Sequence, residues 1–363
     1  MRVILAGGGT AGHINPAIAI ADTILQKDKN SEILFVGTRR GLESTLVPSK
    51  NYDIEYIDVE GMKGRFNLKN IVSAVKYVSA IGKCKAIIKK FSPDAVIGTG
   101  GYVCAPLVAA ANSMKIPTLI HEQNVFPGNA IKMLSKKSTV TAISFMESTK
   151  YLTDVKEILY SGNPLRPEII STKRDDARAE LNLGDKKFIV IFGGSLGAKA
   201  INDVACDYIE KYGDKKGVRI CIATGKYSYD RVKERLGEKF PNVEIRQYIH
   251  NMATILAAAD LVVCRSGAIT VSEISAVGVP AVLVPSPNVT RNHQEYNARA
   301  LSDDGGAITI LEKDFDAKAL KNAIDSIIND NDKAEEMRRI AHSKCKLNAS
   351  EIIYEKVLNI IKK

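Results

Sequence analysis

The sequence predicts an α/β chain of two doubly wound parallel-sheet domains facing a cleft, and three observations predict it. Short apolar runs alternate with helix-period stretches from end to end. Several runs, such as Phe188–Phe192 and Ala281–Val284, are apolar throughout, as strands buried on both faces are. The order of strand, glycine-rich turn and helix then begins again after Gly162-Asn163-Pro164-Leu165-Arg166-Pro167, whose two prolines and glycine break any regular element.

Taken in order, strands are expected at 2–6, 32–36, 54–58, 94–98, 117–120 and 138–142, then at 187–192, 218–223, 242–246, 260–263, 280–284 and 307–310. The first domain is expected over 1–162 and the second over 163–344. A last helical pattern at 349–361 lies beyond the second set of strands, so the tail 345–363 is expected to pack back on the first domain.

A length of 363 residues exceeds what one core of roughly 150–200 residues needs. With 45% hydrophobic and 25% charged residues the composition is that of an ordinary globular protein rather than a disordered one. No apolar run approaches the ~20 residues that cross a bilayer, and a strand at the N-terminus argues against a leader peptide. The six cysteines form no CxxC pair and read as reduced thiols. Net charge is +10, and residues 1–162 hold 20 basic against 13 acidic residues. Residues 61–93 carry Lys63, Arg65, Lys69, Lys76, Lys83, Lys85, Lys89 and Lys90 and no acid. Nucleic acid or an anionic membrane surface fits such a stretch, and charge alone does not choose.

Three glycine-rich turns follow apolar strands: 7–12, 98–101 and 193–197. Glycine lets backbone N–H groups approach an anion, and a helix N-terminus adds about half a positive charge. Together the turns point to a phosphate-bearing ligand. The first matches the dinucleotide pattern Gly7-x-Gly9-x-x-Gly12, with Asn15-Pro16 expected to open the helix. An NAD site wants an acid about 20 residues further on, whereas here the second strand ends in Gly37-Thr38-Arg39-Arg40. Those arginines suit a 2′-phosphate, so an NADP site stays open, but it gives His13 no role.

The stretch 264–301 reads as a strand, a Ser266-Gly267 turn, a helix carrying Glu273, another strand, and a loop entering a helix through His293-Gln294-Glu295. An acid on the first turns of that helix is placed to accept two hydrogen bonds from a ribose diol. The block resembles the nucleotide-sugar signature of glycosyltransferases with the two-Rossmann (GT-B) architecture. The resemblance narrows to the MurG-type enzymes, of the family 28 type. It is carried by Gly8-Gly-Thr-Ala-Gly-His13 with Asn15-Pro16, Gly98-Thr-Gly-Gly-Tyr102, His121-Glu-Gln-Asn124, Gly162-Asn-Pro-Leu-Arg166, Gly193-Gly-Ser-Leu-Gly-Ala198, Arg265-Ser-Gly-Ala-Ile-Thr-Val-Ser-Glu273 and Asn292-His-Gln-Glu-Tyr-Asn297. The chain departs from the family pattern at Ala11, where a glycine is usual and a positive φ would be less comfortable, and at Leu196, where glutamine is common.

What the resemblance implies is an inverting transferase. It moves N-acetylglucosamine from UDP-N-acetylglucosamine to the 4-hydroxyl of the muramyl sugar of undecaprenyl-pyrophosphoryl-MurNAc-pentapeptide (lipid I), giving lipid II for peptidoglycan synthesis, cell shape and division. It also implies a peripheral protein on the cytoplasmic side of the cell membrane, with no cofactor and no nucleic-acid partner; oligomeric state stays open. Carried over by position, Thr10, Ala11 and Gly12 approach the donor's sugar and phosphate side, and Asn124 and Gln294 meet the N-acetylglucosamine. Arg166 and Ser195 serve the diphosphate, the backbone of Ile249 meets the uracil, and Ala268, Ile269, Thr270, Val271, Ser272 and Glu273 hold the nucleotide.

Inverting transfer needs one general base for the acceptor hydroxyl and stabilisation of the leaving diphosphate. His13 is the candidate base, since an imidazole of unperturbed pKa ~6.5 accepts a proton near neutrality. The competing reading has it capping the loop or binding the acceptor's pyrophosphate. Glu122 is a weaker candidate, better suited to orienting, and His121 reads as structural. No metal is implied: Asp330-Asn331-Asp332 imitates a metal-binding acid pair but reads as a solvated turn. In 67–90, Leu68, Ile71, Val72, Val75 and Val78 are expected to pack on the first sheet. The neighbouring Met62-Lys63-Gly64-Arg65-Phe66 and the lysines are expected to meet anionic lipid. Rival readings keep the fold with another acceptor or an epimerase reaction, make the chain a nucleotide-sugar or lipid carrier, or make it an NADP oxidoreductase.

Overall fold

The structure, a computed structural model, describes residues 1–61, 69–194 and 196–362. The chain divides into two compact units, Met1–Leu165 with Lys346–Lys363, and Arg166–Cys345.

In the first unit, β1 (Arg2–Ala6), β2 (Glu32–Gly37), β3 (Asp53–Tyr56), β4 (Ala95–Gly98), β5 (Thr118–Glu122), β6 (Val140–Ile143) and β7 (Ile158–Tyr160) form one parallel sheet. Its order is β3-β2-β1-β4-β5-β6-β7. Side chains alternate across the sheet, which explains why its central strands are apolar on both faces. Val3 and Leu5 join Ile14, Ile20 and Phe35, together with Ile353 and Val357 of the last helix, Ala349–Ile361. Ile4 and Ala6 face the other way, toward Cys84, Ile88 and Leu107. In the second unit β8 (Lys187–Phe192), β9 (Val218–Ala223), β10 (Val243–Arg246), β11 (Leu261–Cys264), β12 (Ala281–Leu283) and β13 (Ile308–Thr309) repeat the plan in the order β10-β9-β8-β11-β12-β13.

Each strand expected from the sequence is present, and β7 is an addition. It is a short edge strand with Ile158 exposed, so it lacks the doubly buried apolar run that marks the others. Strand order reverses between β1 and β4 and again between β8 and β11, and ligands of such sheets bind outside the strand ends at those reversals. Pairing of Ala6 with Gly98 sets the turn after Gly7 beside that after Thr99. Pairing of Phe192 with Cys264 sets Gly193 beside Arg265. All three glycine turns therefore lie at reversals.

Three local expectations change. The first helix opens at Ala11 rather than at Asn15-Pro16, which lie inside it, and the positive φ of the turn falls on Gly9 (83°), so Ala11 is accommodated without strain. Asp330-Asn331-Asp332 is no turn: the Asp330 side chain accepts from the Lys333 amide at 3.0 Å and caps the helix Asn331–Ser343. In the helix Lys69–Phe91 the two described residues of the stripe expected to pack on the sheet do not enter the core. Val75 and Val78 are 66% and 68% exposed, while Ala80, Cys84, Ile87 and Ile88 enter the core with Tyr77 beside them. Both stripes satisfy helical spacing, and the buried one continues further along the helix. Leu68, the segment Met62–Phe66 and the side chains of Ile71 and Val72 lie outside the described residues.

Candidate functional site

At the first reversal the backbone is packed against His13. The ring's Nδ1 lies 3.2 Å from the Gly8 carbonyl and 3.2 Å from Thr10 Oγ1, while the Thr99 hydroxyl donates to the His13 carbonyl at 2.7 Å. A carbonyl only accepts, so in the neutral ring Nδ1 carries the proton and Nε2 is the basic nitrogen. Gly100 (φ 105°) and Gly101 (φ 77°) make room for this: a Cβ on Gly100 would stand 2.7 Å from His13 Cδ2, and one on Gly101 would collide with the Gly8 carbonyl.

Behind this turn β5 ends in a buried polar chain. Gln123 Nε2 donates to the Thr99 carbonyl at 2.6 Å and lies 3.0 Å from His121 Nδ1. His121 Nε2 lies 3.0 Å from the Gly162 carbonyl, which fixes its proton there. Burial pushes the His121 pKa down to about 4, so the ring is neutral at pH 7. Ser144 donates to Asn163 Oδ1 at 2.8 Å, tying this chain to the segment after β7. Glu122 is buried and burial raises its pKa; its oxygens accept from the Asn124 amide (2.9 Å), Asn124 Nδ2 (3.0 Å) and the Gly128 amide (2.9 Å). That geometry orients Asn124.

At the second reversal a cavity of about 700 Å³ opens. It is lined by Gly193, Gly194, Gly197, Ala198 and Lys199 on one side and by Arg265, Gly267, Thr270, Ser286, Gln294 and Glu312 on the other. The N-termini of the helices Lys199–Tyr212 and Ala268–Val277 both reach it, which favours an anion. Its walls are fastened by side chains. Arg265 donates to the Val284 and Pro285 carbonyls (3.1 and 3.2 Å) and pairs with Glu312; Gln294 Oε1 accepts from the Ser286 amide at 2.9 Å; Ser266 Oγ donates to the Gln294 carbonyl at 2.8 Å.

Of the residues expected to hold the donor, Thr270 and Gln294 line this cavity. Ala268–Glu273 form the first turns of their helix. Glu273 is buried, which pushes its carboxyl up, and Arg166 opposes that shift by pairing with it at 3.2 Å. Two residues expected at opposite ends of the donor thus touch each other here. Ile249 is buried beside the edge-to-face pair Tyr248–His250. Ser195 lies outside the described residues. Sequence reasoning missed Glu43, Thr99, Gln123, Lys199, Ser286 and Glu312 as parts of the two sites. Thr99 and Gln123 stand inside the motifs 98–101 and 121–124 with no role assigned to them there, and Glu43 leaves a trace as an acid two residues after Gly41. Among the described residues no cluster of His, Cys, Asp and Glu is fit to hold a metal, and no helix is long and apolar enough to cross a membrane.

The chain matches the glycosyltransferase family 28 N-terminal domain over residues 3–143 and its C-terminal domain over 188–352. It is 47% identical, over 100% of its own length and 99% of the relative's, to the UDP-N-acetylglucosamine–N-acetylmuramyl-(pentapeptide) pyrophosphoryl-undecaprenol N-acetylglucosamine transferase of Acetivibrio thermocellus. It is 43% identical to the protein of that name from Caldanaerobacter subterraneus, over 99% of this chain and 100% of the relative. The crystal structure of Acinetobacter baumannii MurG superposes with a TM-score of 0.79 at 29% identity, covering 99% of both chains. With both domain models matched in chain order, and relatives of that name 43–47% identical over the full length, the chain belongs to glycosyltransferase family 28, among its MurG-type N-acetylglucosamine transferases.

Proposed function

We propose that the chain transfers N-acetylglucosamine, with inversion, from UDP-N-acetylglucosamine to the 4-hydroxyl of the muramyl sugar of lipid I, yielding lipid II and UDP. The observation that carries this reading is the cavity over the 193–197 turn, where two helix N-termini converge. A diphosphate leaving group is stabilised by such fixed positive ends. In this reading the second unit holds the donor, with Glu273 exchanging Arg166 for the ribose hydroxyls and Arg166 turning to the diphosphate. The backbone of Ile249 reads the uracil, and Gln294, with Asn124 of the first unit, meets the sugar. The acceptor hydroxyl gives its proton to His13 Nε2 as its oxygen bonds to the anomeric carbon, and the bond from that carbon to the diphosphate breaks.

The acceptor's prenyl tail stays in the bilayer, so the enzyme must come to it. The acid-free stretch 61–93 and the exposed Val75 and Val78 support docking on an anionic membrane, as a peripheral protein on the cytoplasmic side.

The test is UDP release from UDP-N-acetylglucosamine with and without the muramyl lipid, alongside an amide-protection map with the donor alone. Release that depends on the lipid, with protection in 193–200 and 265–273, is expected. Protection confined to 7–12 would overturn the donor assignment, and donor epimerisation without acceptor would favour an epimerase.

A further inference from the structure

One buried carboxylate stands outside the mechanism above. Glu43 is 1% exposed, in the short helix Glu43–Leu46 after β2. Its Oε1 accepts from the Thr38 amide at 3.0 Å and the Thr38 hydroxyl at 2.6 Å, and its Oε2 accepts from the Gly9 amide at 3.1 Å. The chain is shaped around it. A Cβ on Gly37 would stand 2.7 Å from Glu43 Cγ, one on Gly8 would stand 3.0 Å from Cδ, and one on Gly41 would run into the carboxylate. A structural brace for β2 needs only the Thr38 contacts; the bond to Gly9 reaches into the turn that carries His13.

The Gly9 N–H and the Gly8 C=O are two ends of one peptide group. Its N–H points at the Glu43 carboxylate, and its C=O accepts from His13 Nδ1 at 3.2 Å. We propose that Glu43 is a positioning residue for His13, acting through the Gly8–Gly9 peptide as the carboxylate of a catalytic dyad acts on its imidazole directly. The carboxylate polarises the peptide, the more negative Gly8 oxygen holds the Nδ1 proton, and the ring's basic nitrogen is kept at Nε2. Hydrogen bonds in series strengthen one another in this way, and fixing the imidazole tautomer is what the buried carboxylate of a serine-protease triad does. The same contact commits the Gly9 amide to a carboxylate within the chain. The other titratable groups on the elements around the ring are Tyr102 and Cys104 beyond Gly101 and His121 and Glu122 on β5. His121, held neutral by burial, does not oppose a proton on His13 at pH 7.

This inference rests on His13 being the base, and the experiment keeps the two apart. Glu43→Gln, Glu43→Asp and His13→Gln are made in the full chain. The His13 ring is followed by two-bond ¹H–¹⁵N spectra across pH, its signals assigned by their loss in His13→Gln, and kcat and KM for UDP-N-acetylglucosamine are read from UDP release. Glu43→Gln is expected to depopulate the Nδ1-protonated tautomer, move the acid limb of kcat to lower pH, and lower kcat about tenfold with little change in KM. Glu43→Asp keeps the charge and is expected to restore the tautomer and most of the rate. A ring whose tautomer and titration are the same in Glu43→Gln as in the parent overturns the proposal. So does an equal loss of the tautomer in the Gln and Asp variants, which would mark a packing effect. Near-parental turnover of His13→Gln would remove His13 as base, and the ring spectra would still decide whether Glu43 acts on it.

Discussion

The turns at Gly7–Gly12 and Gly193–Gly197 are built alike, each following the first strand in chain order of its sheet and each standing at a reversal of strand order. They are furnished oppositely. The first is filled from within: the Gly9 amide goes to Glu43, the Gly8 carbonyl to His13, and Gly100 and Gly101 close over the ring. The second opens onto a cavity with Arg265 and two helix N-termini at its wall. The difference teaches that a glycine turn at a strand end is a frame for an anion or a side chain, and the neighbouring residues decide which. In the first unit the chain supplies its own carboxylate, which takes the Gly9 amide and leaves that turn holding an imidazole.

The largest expected effect breaks the comparison at its first member. His13→Ala should lower kcat by about 10² to 10⁴, the usual contribution of a positioned general base, while the affinity for UDP-N-acetylglucosamine, measured by calorimetry, stays near that of the parent. A kcat loss of tenfold or less with binding intact would leave the first turn without its proposed chemistry.

The inward wiring of the first unit should also show in its stability. The His121 pKa is lowered from 6.5 to about 4, chiefly by burial. The folded state then binds fewer protons than the unfolded one between those values, so stability is complete above pH 6.5 and declines as pH falls toward 4. The loss attributable to this ring is up to about 3 kcal/mol. Thermal unfolding of the parent and His121→Gln from pH 7 to 4 measures it, and the variant's curve should be the flatter. An identical acid slope in both would mean that His121 is not the sensor.

The second turn is probed through Glu273. Burial raises its pKa, and Arg166 is its partner at 3.2 Å. Hydrogen bonds to a charged group are worth about 1.5–3 kcal/mol, so Glu273→Gln should raise KM for UDP-N-acetylglucosamine by roughly ten- to a hundredfold and leave kcat much less affected. A comparable loss in kcat with unchanged KM would move Glu273 away from the ribose.

Why the two sites differ in legibility follows from the same contrast. The strands were readable because doubly buried runs such as Phe188–Phe192 have one interpretation, whereas β7, at an edge, has none that is distinctive. The second site was readable in part: Glu273 sits on the helix that the Ser266-Gly267 turn opens, while Thr270 and Gln294 were legible only through the family resemblance. Its pairing of Arg166 with Glu273 spans 107 positions and leaves no local pattern. In the first site His13 was visible beside its glycines, but Glu43 and Gln123 come from other strand ends, and nothing in their own neighbourhoods says that they converge. The helix Lys69–Phe91 misled for another reason: two apolar stripes share its spacing, and only tertiary packing selects between them.

The smallest effect concerns the outer face of that helix, a feature of the first unit with no counterpart proposed in the second. Val75 and Val78 are exposed, while Lys76 between them is drawn toward Asp58 and Glu60, at 3.3 and 2.6 Å. Lys76 is thereby partly neutralised, so the electrostatic share of docking should fall to Lys83, Lys85, Lys89 and Lys90. Each lysine near an anionic surface is worth about 1 kcal/mol, and so about fivefold in partition. Lys83→Ala and Lys89→Ala should weaken binding to vesicles containing anionic lipid by about that factor each, with the difference shrinking as salt shortens the Debye length. Val75→Ser with Val78→Ser should lower binding to neutral and anionic vesicles alike, because the apolar share does not depend on lipid charge. All of these variants should bind UDP-N-acetylglucosamine as the parent does, since the proposed donor cavity belongs to the other unit. Equal binding of the parent to neutral and anionic vesicles would remove the electrostatic share, and a loss of donor affinity in these variants would show that the two units are not as separate in function as their turns suggest.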